Sequence, residues 1–181
     1  MSKIVFPNKG ISGEKIVINK FTIHDITDEY INWLNDKKLM EFSNQRFKEH
    51  SRASAINYLN SFKNSPNLFL KIITLNKLMI GTLTIFYSPF HKTVDVGILI
   101  GNSSIKGKGY GTASWLTIIN WLKSLSSVRK ITAGCLINNK KMINLIKKSD
   151  MQLEAVRKKH ELFNGDTTDV VLYSYFNESY V

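Results

Sequence analysis

A single cysteine, Cys135, occurs in 181 residues, so no internal disulfide can form. That absence fits a reducing compartment. In an apolar stretch, a lone thiol is read as a small core residue. Long apolar runs are also missing, and a membrane span needs about 20 such residues. The first residues lack the apolar core of a secretory signal, so the cytoplasm is the expected location. Arginine is scarce: only four of the 25 basic residues are Arg, although the formal charge is +11. Base-edge readout and bidentate phosphate contacts favour Arg over Lys. The charge therefore points to a small polyphosphorylated ligand or a lysine-rich solvated surface rather than to nucleic acid. His24, His91 and His160 have no cysteine or acidic partner at ligand spacing, so no metal is expected.

What is present reads as one domain of 1–181, with apolar content of 43% sufficient for a core. Residues 1–14, broken by Pro7, Gly10 and Gly13, are expected to be a loose start or a short edge strand. A strand follows over 15–21. Asp25 is placed to cap a helix with Ile26, Tyr30, Trp33 and Leu34 on one face. Residues 42–50 are irregular. Ser51 or Ser54 starts a second helix with Ala55, Tyr58, Leu59 and Phe62 inward. Residues 68–74 and 79–87 form a hairpin, and 93–100 is the next strand. A helix runs to about Leu125 with Trp115, Ile118, Ile119 and Leu122 inward. Strand 130–137 follows, with Ile131, Ala133, Cys135 and Ile137 on one face. A short helix over 140–148 carries Met142, Leu145 and Ile146. A last hairpin turns at Asn164-Gly165-Asp166. This order predicts an α/β (α+β) fold: a mixed, mostly antiparallel sheet of about six to seven strands flanked by helices. The crossover from strand 93–100 to strand 130–137 makes that one pair locally parallel.

Between strand 93–100 and the long helix lies Ile105-Lys106-Gly107-Lys108-Gly109-Tyr110-Gly111-Thr112. A glycine-rich turn lets backbone N–H groups approach an anion, and the helix start adds unpaired donors and the positive end of its dipole. Gly107, Gly109 and Gly111 tolerate positive φ and present no Cβ to a phosphate. The stretch is expected to hold a phosphate or pyrophosphate.

These residues resemble the GNAT acyltransferases, and within them the Rim-type ribosomal-protein acetyltransferase branch. The resemblance lies in the turn 106–111, the preceding Asp95-Val96-Gly97, Asn139 with Lys148, and the tail Gly165…Asp169. It implies acetyl-CoA as donor, with 15–75 as the acceptor-side half and 79–176 as the cofactor half. Amides of Lys106, Gly107, Lys108, Gly109, Tyr110 and Gly111, with Thr112 behind them, would cradle the pyrophosphate. Backbone near Ile98, Leu99 and Ile100 would pair with the pantetheine arm, and Asn139 and Lys148 would also touch the cofactor. Asp95 matches the family's acidic position, as general base through a water or as a structural partner for a lysine. Asn139 would bond pantetheine, place a water, or cap its helix. Ile146 stands where relatives carry a proton-donating tyrosine, which leaves a water held by Asn139, or Tyr110 or Tyr173, as the acid. Met142 replaces a serine, and Ser149-Asp150-Met151 replaces x-Gly-Phe.

Trp33-Leu34-Asn35-Asp36 is similar to a stretch in members of the branch that act on amino-sugar nucleotides. Trp33, as a sugar platform or a core residue of its helix, and Asn35, as a contact or a helix end, are acceptor candidates; Arg46 and His50, in the irregular stretch with Phe42 and Phe47, are the better ones, with a surface histidine as the alternative for His50. The implied activity is N-acetylation of a small-molecule primary amine by a monomer or homodimer. A protein N-terminal acetyltransferase and a non-catalytic CoA-binding module are the alternatives.

Overall fold

The computed structural model describes residues 4–177. The first three residues of the expected loose start lie outside them. Eight strands and four α-helices occur among the described residues: β1 (Ile11–Ser12), β2 (Ile16–Lys20), α1 (Asp28–Asn35), α2 (Arg52–Asn60), β3 (Leu68–Thr74), β4 (Met79–Ser88), β5 (Thr93–Ile100), α3 (Tyr110–Lys123), β6 (Lys130–Leu136), α4 (Lys140–Lys147), β7 (Gln152–Phe163) and β8 (Asp166–Phe176). They form one mixed sheet in the order β1-β2-β3-β4-β5-β6-β8-β7. Every pairing is antiparallel except β5 with β6, as a crossover through α3 requires. The strand beyond the expected six or seven is the two-residue β1, which pairs Ile11 with Ile18.

Side chains alternate across the sheet. One face packs Leu70, Ile72, Leu83 and Ile85 against Trp115 and Ile118 of α3. Each such side chain gains roughly 1.5–3 kcal/mol on full burial. Ile4 and Phe6 join this core, and Phe6 meets Trp121 edge-on at 5.5 Å, so part of the expected loose start is pinned. The opposite face holds a smaller cluster of Phe21, Ile26, Tyr30, Trp33, Ala55 and Phe69 beneath α1 and α2.

Some local expectations change. Thr27, not Asp25, caps α1: its hydroxyl accepts from the Tyr30 amide at 3.2 Å. Asp25 instead holds a preceding 3-10 turn through Thr22 and pairs with Lys71 at 2.6 Å. Ser51 caps α2 in a reciprocal box with Ser54. Ser149-Asp150-Met151 is anchored on both sides of its turn. Asp150 takes φ +60°, a left-handed geometry that Asp tolerates. Met151 is buried, and Ser149 accepts from the Trp115 indole at 3.0 Å.

Candidate active site

The β5–β6 ladder lasts only three registers, Thr93–Lys130, Val94–Ile131 and Asp95–Thr132. Beyond them the strands part, and a cleft of about 630 Å³ opens between them. The Gly101 amide bonds the Ile80 carbonyl at 2.9 Å, which sets the alternation along β5. Odd residues 93–99 direct their N–H and C=O groups to β4. Ile98 and Ile100 turn theirs toward the cleft, while the Val96 N–H faces Thr132 at the last rung of the β5–β6 ladder. Leu99, expected to offer backbone, spends it on β4 and lines the cleft by its side chain instead.

At the cleft's end a short 3-10 turn, Ser103–Ile105, is anchored by buried Ile105 and capped by Asn102. Gly107 and Gly109 follow at φ +78° and +82°, and a Cβ on either would meet nothing within 4 Å. The open space is where an anion can approach. Gly111 does not take positive φ; it is an ordinary helical residue whose added Cβ would sit 3.6 Å from Ile100. The amides of Lys106 and Lys108 donate inside the turn, to Ser103 and Ile105, both at 3.2 Å. The first helical bond of α3 runs from Ala113 to Gly109. No side chain caps this helix and no acid lies in its first turn. The amides of Gly107, Gly109, Tyr110, Gly111 and Thr112 therefore remain to meet an anion. Lys106 and Lys141 line the same cleft.

Asp95 lies where β5 and β6 separate, and Thr132 donates to its carboxylate at 2.7 Å. Its residue surface reaches solvent, but the carboxyl is crowded by protein. Desolvation raises its pKa and the Thr132 bond partly opposes this. A raised value brings a carboxylate nearer the range of a working base. Asn139 lines the cleft and caps α4, its Oδ1 accepting from the Met142 amide at 3.1 Å. Lys148 is exposed at the far end of α4 and lines neither cavity. Ile146 is fully buried. Cys135 corrects the core expectation: it is half-buried and lines the cleft, because β6 no longer pairs with β5 at that level. Burial pushes its thiol up to about 11. It stays protonated near neutrality, and it is a poor proton donor to a thiolate of ordinary pKa ~8.5.

A second cavity, about 640 Å³, lies under α1 and α2. It meets the cleft at Met40, Ser43, Gly97, Ile98 and Leu99, which line both. His50 lines it, and its ring nitrogen faces the Gln45 carbonyl at 3.2 Å. The other acceptor candidates are engaged elsewhere. Trp33 is buried against Gly101, where a Cβ would fall 2.0 Å from the indole. Asn35 clasps the His50 backbone, donating to its carbonyl at 2.8 Å and accepting from its amide at 2.9 Å. Arg46 donates to the carbonyls of Ser43 at 2.9 Å and Leu162 at 3.1 Å.

Residues not singled out for the site complete it. Tyr58 and Phe86 line the cavity while 38% and 45% exposed, and Lys48 and Glu49 stand at its edge. The only sequence signal for Phe86 was its outward position in an alternating strand. Burial pushes the phenols of Tyr30 and Tyr58 up, so both stay neutral.

The tip of the β7–β8 hairpin braces this cavity's loop. Phe163 stacks on Phe42 at 5.2 Å and 14°. The register of β7 slips between Arg157 and Glu161, with Lys159 at φ +49°. Asp169 accepts from the Lys159 amide at 2.8 Å and from Lys158 at 3.0 Å, holding the irregularity.

Among the described residues, no cluster of three or more metal-ligating side chains occurs, and no helix is long and apolar enough to cross a membrane. A family model described as an acetyltransferase (GNAT) domain matches residues 15–152. No curated protein matches the sequence significantly. Solved structures share the fold at low identity. A microcin C7 self-immunity acetyltransferase, MccE, in complex with acetyl-CoA and AMP, is 19% identical with a TM-score of 0.79, over 96% of this chain and 99% of its own. The ribosomal L7/L12 acetyltransferase RimL, with CoA, gives 16% and 0.78 over 93% and 97%. Spermidine N-acetyltransferase from Vibrio cholerae, with CoA and spermine, gives 17% and 0.78 over 91% and 97%.

Proposed function

The chain belongs to the acetyltransferase (GNAT) domain family, and from that premise we propose that it moves an acetyl group from acetyl-CoA directly to a primary amine of a small molecule. The observation that carries this is the parting of β5 from β6 after three registers, directly before an uncapped helix start. The free amides from Gly107 to Thr112 fit a diphosphate, and the Ile98 and Ile100 backbone fits an amide-bearing arm, as an added strand would. The residues 79–176 thus serve the donor, residues 15–75 the acceptor, and β4 and β5 border both.

In the reaction the neutral amine nitrogen attacks the thioester carbonyl carbon. The C–S bond breaks, the amine proton leaves to Asp95 through a water, and the thiolate takes a proton from a water held at Asn139, whose hydroxide is reprotonated from solvent, to give CoA. The Ile98 amide, the first one beyond the ladder, supplies a donor for the developing oxyanion. Asn139, its oxygen committed to the cap, offers its Nδ2 donors to the cleft. The two cavities meet at Gly97–Leu99, so amine and thioester can touch without a covalent enzyme intermediate. The neutral Cys135 thiol is consistent with that. The amino-sugar-nucleotide reading keeps Leu34 and His50 as its supports, since Trp33, Asn35 and Arg46 are occupied. We place the enzyme in the cytoplasm, as a monomer or homodimer.

Calorimetry with acetyl-CoA, followed by thiol release on adding amines, tests the reading. Saturable binding and amine-dependent release are expected. Binding without release from any amine would leave a non-catalytic CoA module.

A further inference from the structure

We propose that the acceptor is a monoamine carried on a flat aromatic body, an inference that deepens the acetyltransferase reading and rests on it. The 640 Å³ cavity has the size of a small-molecule site. Its inner end, at Met40, Ser43 and Gly97, is where the attacking nitrogen must lie. Its other end is a wall of rings. Phe69 is buried; Tyr58 meets it edge-on at 5.3 Å and 78°, and Phe62 stacks behind it at 5.3 Å and 27°. Phe62 also lies 6.0 Å from Phe86. The rings brace one another, yet Tyr58 and Phe86 keep 38% and 45% of their surface open. Rigid, half-bare rings inside a concavity offer a surface on which another ring stacks or meets edge-on.

Charge then separates the candidate classes. Among the described residues, Glu49 is the only carboxylate lining the cavity, and Lys48 is the only lysine or arginine. A triamine keeps two ammonium groups beyond the neutral nitrogen that attacks and calls for more than one anionic partner, which a single carboxylate does not supply. A nucleotide brings phosphates that favour an arginine fork or several lysines. Lys48 stands without such company, and Arg46 is engaged by the carbonyls of Ser43 and Leu162. A peptide brings a polar amide at every residue, and the wall offers ring faces instead. An amine a few bonds from an aryl ring fills the wall and reaches the junction. The product is its N-acetyl derivative plus CoA thiol.

The test measures thiol release from acetyl-CoA with tyramine, tryptamine, spermidine, a uridine-diphosphate amino sugar and a serine-initiated peptide. An aryl amine should exceed spermidine in kcat/KM by at least tenfold. Tyr58→Leu and Phe86→Leu should each lower that value about three- to tenfold, with the KM for acetyl-CoA unchanged as proof of an intact fold. Preference for spermidine, the nucleotide or the peptide overturns the aromatic class while leaving the acetyltransferase reading in place. Unchanged aryl-amine kinetics in both variants also overturns it. Release from none of the amines, with acetyl-CoA binding intact, sinks the acetyltransferase reading and this inference with it.

Discussion

The two cavities that share β5 are built from different materials. The cleft we assign to the donor is made mostly of main chain: outward amides of Ile98 and Ile100, two left-handed glycines and a bare helix start. The acceptor cavity is made of side chains held by other side chains, through the Asn35–His50 clasp, the Phe42–Phe163 stack and the Arg46 bonds. A backbone site tolerates substitution except where a conformation is at stake. A side-chain site shifts whenever one of its supports is removed.

The largest effect should come from Gly109→Val. A β-branched residue at φ +82° costs about 1–2 kcal/mol of strain, and its methyls enter the space for the phosphates. Calorimetry should show no acetyl-CoA binding, and retained affinity would remove the cleft from the reaction. Asp95→Asn comes next. Turnover should fall roughly 10²–10⁴-fold while acetyl-CoA affinity holds. Because desolvation raises the Asp95 pKa, the wild type should lose activity on acidification from above the ordinary carboxylate range, and the variant should lack that limb. An identical pH–rate profile would leave Asp95 only its bond to Thr132.

Smaller effects should fall on the acceptor side alone. Asp169→Ala releases the Lys159 amide and the hairpin tip, so hydrogen exchange in 42–47 should quicken several-fold while α3 is unaffected. Asp169→Asn, still an acceptor, should restore protection; quickening in α3 as well would mean general loosening. The smallest effect is on pH. The Lys159 amide, then Lys158, hold the Asp169 carboxyl below its usual value. Its stabilising contribution is complete above the unfolded value of ~3.9 and drains as pH falls through the lower folded one. Hairpin exchange, corrected for its intrinsic pH dependence, should be flat between pH 7 and 5. A loss of protection within that window would implicate a group other than Asp169.

The sequence exposed the main-chain site better than the side-chain one, for a physical reason. Glycine at 107 and 109 declares its own dihedral freedom, and the 3.6-residue period of Trp115, Ile118 and Leu122 declares a buried face. These are local properties. The functions of Trp33 and Asn35 depend on Gly101 and His50, which reach them only through folding. Asp25 looked like a cap because Lys71, its partner, is 46 positions away. Cys135 looked internal because a strand's apolar pattern does not reveal where its neighbour departs.

The alternation along β5 also has an engineering consequence. In the reading proposed above, Ile98 and Ile100 give the donor their amides, and the odd positions point side chains toward the acceptor face together with Thr82, Thr84 and Phe86. A combinatorial library confined to 82, 84 and 86, which line only the cavity under α1 and α2, can therefore search for new amine preferences without disturbing how the coenzyme is gripped. The strand acts as a partition whose two sides are free to evolve apart.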